Sequence, residues 1–152
     1  MKKSCCILGQ KRVSFKKHDD VFEAVFEQVK KLIKQGYSEF IFEGQGQFDN
    51  IARLVVRILS LGEYPHIKTV YYQSYNDGNM ENLPPVFDKA IPFAKNRPDK
   101  QNTACYNQVM QVMIDKADFC LFYVTNKLDG LKEAVRYAAE QNKPFVNLAK
   151  SD

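Results

Sequence analysis

Two glycines, Gly44 and Gly46, carry the strongest chemical hint in this chain. They stand between a short apolar run, Phe40-Ile41-Phe42, and a segment with apolar residues at Ile51, Leu54, Val55, Ile58 and Leu59. A strand, a glycine turn and a helix in that order bring backbone N–H groups up to a phosphate or another anion. Glycine tolerates positive φ and admits a ligand where a Cβ would clash. Two glycines can equally serve only to make a tight turn. Asp49, at the start of the helix, either holds a ribose hydroxyl or caps orphan N–H groups. Asn107 lies off the apolar stripe of its own helix. Glu133 falls in the first turn of the last helix, where a carboxylate suits the macrodipole. Asp115 and Asp118 read as polar closure of a turn.

Other chemistries lack their residues. An enzyme needs a positioned acid or nucleophile, and no paired carboxylates or Ser-His-Asp set stand out. No CxxC occurs, and His18 and His66 are isolated, so no metal site is expected. Cys5 and Cys6 are adjacent in one apolar run and Cys120 lies in another. As strand neighbours Cys5 and Cys6 point to opposite faces, each a small buried hydrophobe.

The elements that would hold these residues alternate. The 152-residue length suits one domain, residues 1–152. Residues 4–8 read as a strand ending at Gly9. Asp20 and Glu23 form a capping-box pattern ahead of apolar residues at Phe22, Val25, Phe26, Val29, Leu32 and Ile33, a helical spacing. Strands are expected at 39–43, 67–72, 118–124 and 145–148, and further helices at about 48–61, 103–116 and 131–141. Residues 74–104 break the pattern with Pro84, Pro85, Pro92 and Pro98, and PVFDKAIPFA has room for a short helix within it. Continuous apolar strands between helices mean a parallel sheet covered on both faces. Right-handed crossovers give an α/β, Rossmann-like three-layer sandwich with five strands, mostly parallel, in the order 3-2-1-4-5. Ligands bind such a sheet beyond the carboxyl ends of the strands, where the order reverses.

Net charge is +4, from 22 basic and 18 acidic residues. The densest basic cluster, Lys11, Arg12, Lys16 and Lys17, reads as a solvated loop. No regular basic stripe with interleaved aromatics appears, so nucleic acid is a weak candidate partner. No apolar run reaches the roughly 18 residues a membrane span requires. The four apolar residues before Gly9 are too few for a signal peptide, and the chain reads as cytoplasmic.

Taken together, the turns resemble the SLOG superfamily, the Rossmann-like group that includes the LOG proteins, and within it the small YpsA-like branch. Its TGHR-like first turn corresponds to LGQK at 8–11, and its GxxxGxD-type turn to GQGQFD at 44–49. Its RN pair and VDxSD-like string correspond to Tyr106-Asn107 and IDKAD at 114–118. Its GGT, VxYA and GKP correspond to Asp129-Gly130-Leu131, VRYA at 135–138 and NKP at 142–144. The resemblance implies a nucleotide-like small-molecule ligand, no further cofactor, and a homo-oligomer formed through helices. It places the ligand against Gly9, Gln10, Lys11, Gly44, Gln45, Gly46 and Asp49, with Asn107, Gly130 and Glu133 across from them. Departures stand at Gln10, Lys11 and Tyr106 and in the last turn. There Asp129 would repel a phosphate and Leu131 lacks a hydroxyl, so the 44–46 turn is expected to carry an anion. The reading is a binding or sensing domain without chemistry of its own. The alternative is an N-glycosidase or deoxyribosyltransferase acting on nucleosides or nucleotides, with Glu133 stabilising an oxocarbenium-like centre.

Overall fold

The computed structural model describes residues 2–43, 46–73, 88–92, 103–125 and 130–149. Strand β1 (Lys3–Gly9) leads through a 3-10 turn (Phe15–Lys17) into α1 (His18–Lys34). Then come β2 (Tyr37–Phe42), α2 (Gln47–Leu61), β3 (Lys68–Gln73) and β4 (Lys89–Pro92). The chain closes with α3 (Thr103–Lys116), β5 (Phe119–Tyr123), α4 (Gly130–Glu140) and β6 (Phe145–Asn147). The sheet runs β4-β3-β2-β1-β5-β6, and every pairing is parallel. The five expected strands are present in the expected order, and β4 extends the sheet beyond β3.

Both faces of the sheet are covered, which is why its strands are apolar on both sides. Cys5, Ile7, Phe40, Phe42, Leu121 and Tyr123 meet the inward residues of α1 and α2. Cys6, Leu8, Cys120 and Phe122 meet α3 and α4 through Val109, Met113, Ile114, Ala134 and Ala138. Cys5 and Cys6 therefore do face opposite layers, both fully buried.

Three local expectations are corrected. The helix after β1 does not open on an Asp20–Glu23 capping box: it begins at His18, with Lys17 as N-cap and no side-chain cap bond. The 3-10 turn supplies the entry instead, with Lys17 N–H donating to the Ser14 carbonyl at 2.8 Å. Asp19 and Asp20 sit in the first turn, favourable to the helix dipole. In α2 the inward stripe is Phe48, Ile51, Ala52, Val55, Val56 and Leu59, while Leu54 and Ile58 are 53% and 44% exposed. They fall outside that stripe by their helical angle. Finally, Lys89–Pro92 is a strand rather than part of a short helix. It is pinned by Asp88, whose carboxylate accepts from the Thr69 N–H at 2.8 Å and the Thr69 hydroxyl at 3.1 Å. Proline is tolerated at such a sheet edge because no inner ladder bond is lost.

Candidate functional site

The carboxyl edge of the sheet is where β1 and β5 end, and the order of strands reverses there. Gln10 stitches the two ends together. Its backbone N–H donates to the Tyr123 carbonyl at 3.0 Å. Its Oε1 accepts from the Thr125 N–H at 3.2 Å and the Thr125 hydroxyl at 2.9 Å. Its Nε2 donates to the Arg12 carbonyl at 2.8 Å. Gln10 thus spends both side-chain ends within the protein.

Gly9 is a glycine because of Phe48. A Cβ on Gly9 would lie 2.0 Å from Phe48 Cδ2, and the Phe48 ring stacks on Tyr123 with centroids 5.2 Å apart and planes at 14°. The space above Gly9 is therefore aromatic packing. Gly46 caps α2 at φ +98°, a conformation that favours glycine. A Cβ there would approach Lys11 Cα to 2.9 Å. The Gln47 N–H donates to the Lys11 carbonyl at 2.8 Å, and Gln47 Oε1 accepts from the Val13 N–H at 2.6 Å. The loop after β1 and the start of α2 are in this way one bonded unit. The Lys11 and Arg12 side chains stand exposed on its outer side, beside a helix N-terminus whose dipole favours an anion.

Asp49 does not cap α2; the cap is Gly46. Its carboxylate is buried and pairs with Arg53 Nε at 3.0 Å, one turn along the helix. Gly130 opens α4 and Asn107 lies in the second turn of α3, both in the layer opposite α2. Gly44 and Gln45 fall outside the described residues, as does Asp129. Leu131 is buried in the α3–α4 layer. Glu133 is exposed on α4 and paired with Arg136, beside a shallow groove of about 280 Å³ that Met110 and Tyr137 also line. The structure thus gathers Gly9, Gln10, Lys11, Gly46 and Asp49 at one junction and sets Glu133 in a separate surface groove.

The turn aspartates close structure. Tyr137 Oη donates to the Asp115 carboxylate at 2.8 and 3.0 Å, a bond that holds the phenol's pKa above its usual value. Asp118 accepts the Ser4 N–H at 2.9 Å at the amino edge of the sheet. Burial pushes the thiols of Cys5 and Cys6 well above their ordinary range, so neither supplies a thiolate at neutral pH. Among the described residues no group of three or more His, Cys, Asp or Glu could hold a metal. No described helix is long and apolar enough to cross a membrane.

A larger cleft, about 500 Å³, opens beside the N-terminal half of α1. Tyr123 and Leu148 form its floor, and Lys17, Asp20, Glu23 and Glu27 stand around it. Its carboxylates give it an acidic rim, unlike the cationic junction of Lys11 and Arg12. Sequence reasoning missed this cleft. It also missed Phe48, Gln47, Thr125 and Asn147. Asn147 ties the end of β6 to β5, accepting the Val124 N–H and donating to the Val124 carbonyl, both at 3.0 Å. The one available signal was in GQGQF, where Gln47 and Phe48 directly follow the glycine pair.

No family model and no curated protein matches the chain. Solved structures do. The molybdenum cofactor carrier protein from Chlamydomonas reinhardtii is 12% identical, with all of this chain and 79% of that one covered at a TM-score of 0.64. The structural-genomics protein TM1055 is 15% identical over 94% of this chain and 72% of its own, at 0.63. DNA processing protein A from Helicobacter pylori, described in its single-stranded DNA binding mode, is 17% identical over 99% and 68%, at 0.62. At such identities what is shared is the fold, a Rossmann-like α/β sandwich with its helices on both faces of a parallel sheet.

Proposed function

We propose that this chain is a cytoplasmic binding domain of SLOG type, near the YpsA-like branch, that holds a nucleotide-like anion and performs no chemistry on it. The observation that carries the reading is the bonded junction of β1 and α2. Lys11 and Arg12 stand exposed beside the α2 N-terminus, and the loop that bears them is fixed to it by Gln47. Cations and a helix N-terminus held together suit a phosphate. Gly9 and Gln10 shape the floor from beneath. In this reading Lys11 and Gly46 stand at the ligand with Asp49 next to them on α2, and Gly44, Gln45, Asn107 and Gly130 stay part of the proposed site on the resemblance alone. Glu133 carries no catalytic role in this reading, being exposed and paired with Arg136. One structural neighbour is by name a cofactor carrier and another binds single-stranded DNA, and binding is what those descriptions share. Exposed Leu54, Ile58 and Leu61 on α2 suit the helix-mediated homo-oligomer that the resemblance implies.

Calorimetric titration with AMP, GMP, CMP and UMP tests the reading. Saturable binding of at least one is expected, weakened about tenfold in Lys11→Ala through loss of one charge-assisted contact. Gly46→Val is a poor probe, because its strained φ and the 2.9 Å approach to Lys11 would disturb the turn itself. No binding across the panel rejects the reading. Free base accumulating in the same mixtures would move it to the glycosidase alternative.

A further inference from the structure

We propose that the 3-10 turn Phe15–Lys17 and the loop before it form a contact surface for single-stranded nucleic acid. Phe15 is the platform on which a base stacks, and Lys11, Arg12, Lys16 and Lys17 meet the phosphates. The proposal does not rest on mononucleotide binding at the β1–α2 junction.

Phe15 is 90% exposed, more than any other large apolar side chain described. It contributes little to the fold, yet the turn beneath it is firmly built. Val13 is buried and donates its N–H to Gln47 Oε1 at 2.6 Å. His18 Nε2 lies 3.1 Å from the Val13 carbonyl, and the Lys17 N–H closes on Ser14 at 2.8 Å. One side of the Phe15 ring leans on His18, with centroids 6.1 Å apart and planes at 39°. The backbone that carries the ring is fixed by these bonds, so stacking has to order only the two side-chain torsions of Phe15.

The four cations flank it in sequence, from residue 11 to residue 17, and are all exposed. None forms an ion pair with a described carboxylate. Aromatic platforms among cations are how proteins hold single strands, since every base offers a π-face and the backbone offers regular charge. A paired base is already stacked and cannot use the ring. A single nucleotide cannot engage cations on both sides of Phe15. An anionic membrane fits less well, because the turn offers one apolar side chain and insertion takes an apolar face. Asp19 and Asp20 follow at the start of α1, and Asp20, Glu23 and Glu27 rim the cleft that Lys17 borders; these carboxylates oppose phosphates there, which leaves the side of the turn away from that cleft for the strand.

The test is fluorescence anisotropy with labelled oligo-dT and oligo-rU of about 20 nucleotides, long enough to span the turn. Binding should weaken with salt, log K falling with log salt at a slope of about −2 to −3 for four phosphate contacts. Phe15→Ala should lose about tenfold and Phe15→Trp should not. Lys16→Ala with Lys17→Ala should flatten the slope by about 1.4. Phe15 is exposed, so its variants stay folded, and their mononucleotide affinity should match the parent's. Wild-type oligonucleotide affinity in Phe15→Ala overturns the proposal, leaving only general charge attraction. So does absence of oligonucleotide binding, or binding to phosphatidylserine vesicles in its place. Those failures leave the mononucleotide titrations untouched, which separates this proposal from the preceding one.

Discussion

Gly9 shows how a residue with an apparent ligand role can be explained by packing. Its missing Cβ makes room for the Phe48 ring, which would otherwise be met at 2.0 Å. Gly9→Ala should therefore destabilise the fold by about 3 kcal/mol or more through overpacking, read by urea denaturation. Phe48→Ala alone should cost a similar amount by opening a cavity. The double variant should cost clearly less than the sum, because the small side chain at 48 removes the clash. Strict additivity would mean the two do not share that space. Asp49 makes a parallel case. Its buried carboxylate and Arg53 form an intrahelical pair, so Asp49→Ala should cost roughly 2 kcal/mol by leaving a partly buried guanidinium uncompensated. A ribose-binding role alone would lower ligand affinity and leave stability unmoved.

At the scale of elements, α2 separates apolar composition from burial. Leu54 and Ile58 are exposed while Val55 and Val56 are fully buried. Leu54→Gln should change stability by no more than about 0.5 kcal/mol, whereas Val55→Ala should cost about 2 kcal/mol. Equal costs in a concentration-independent unfolding experiment would show that Leu54 is covered within the monomer. The alternation of strand and helix was legible in the sequence, since β1, β2, β3 and β5 each contain a short apolar run and the helices between them carry periodic apolar positions. The exact stripe was not, because α2 carries more apolar residues than one face can bury. β4 was hidden for another reason: the link that docks it, Asp88 to Thr69, joins residues far apart along the chain. The break at Gly46 ahead of α2 was legible in the sequence, but its purpose was not. Phe48 over Gly9 and Lys11 against Gly46 are contacts between elements, and no local pattern announces them.

The whole molecule is a parallel sheet sealed between two helical layers, and that sealing gives its cysteines a measurable consequence. Cys5 faces the α1–α2 layer and Cys6 the α3–α4 layer, both at 0% exposure, so each thiol meets water only when its own layer opens. Burial raises both thiols well above the ordinary 9.0. A raised folded pKa means the native state keeps its proton after the unfolded chain has lost it. The associated stability is fully present below the unfolded pKa and declines as pH rises above it. Between about pH 9 and 10 the free energy of unfolding should therefore fall with rising pH, as the unfolded chain gives up thiol protons that the native core retains. Tyr37 and Tyr72, also raised chiefly by burial from 10.0, should steepen the decline only above that window. Urea denaturation at a series of alkaline pH values reads the slope directly. Cys5→Ala with Cys6→Ala should be less stable near neutrality, because two packed sulfurs are gone, yet should show a much flatter profile from pH 9 to 10. An unchanged slope in that variant would place the alkaline loss elsewhere and would mean that the core admits hydroxide without unfolding.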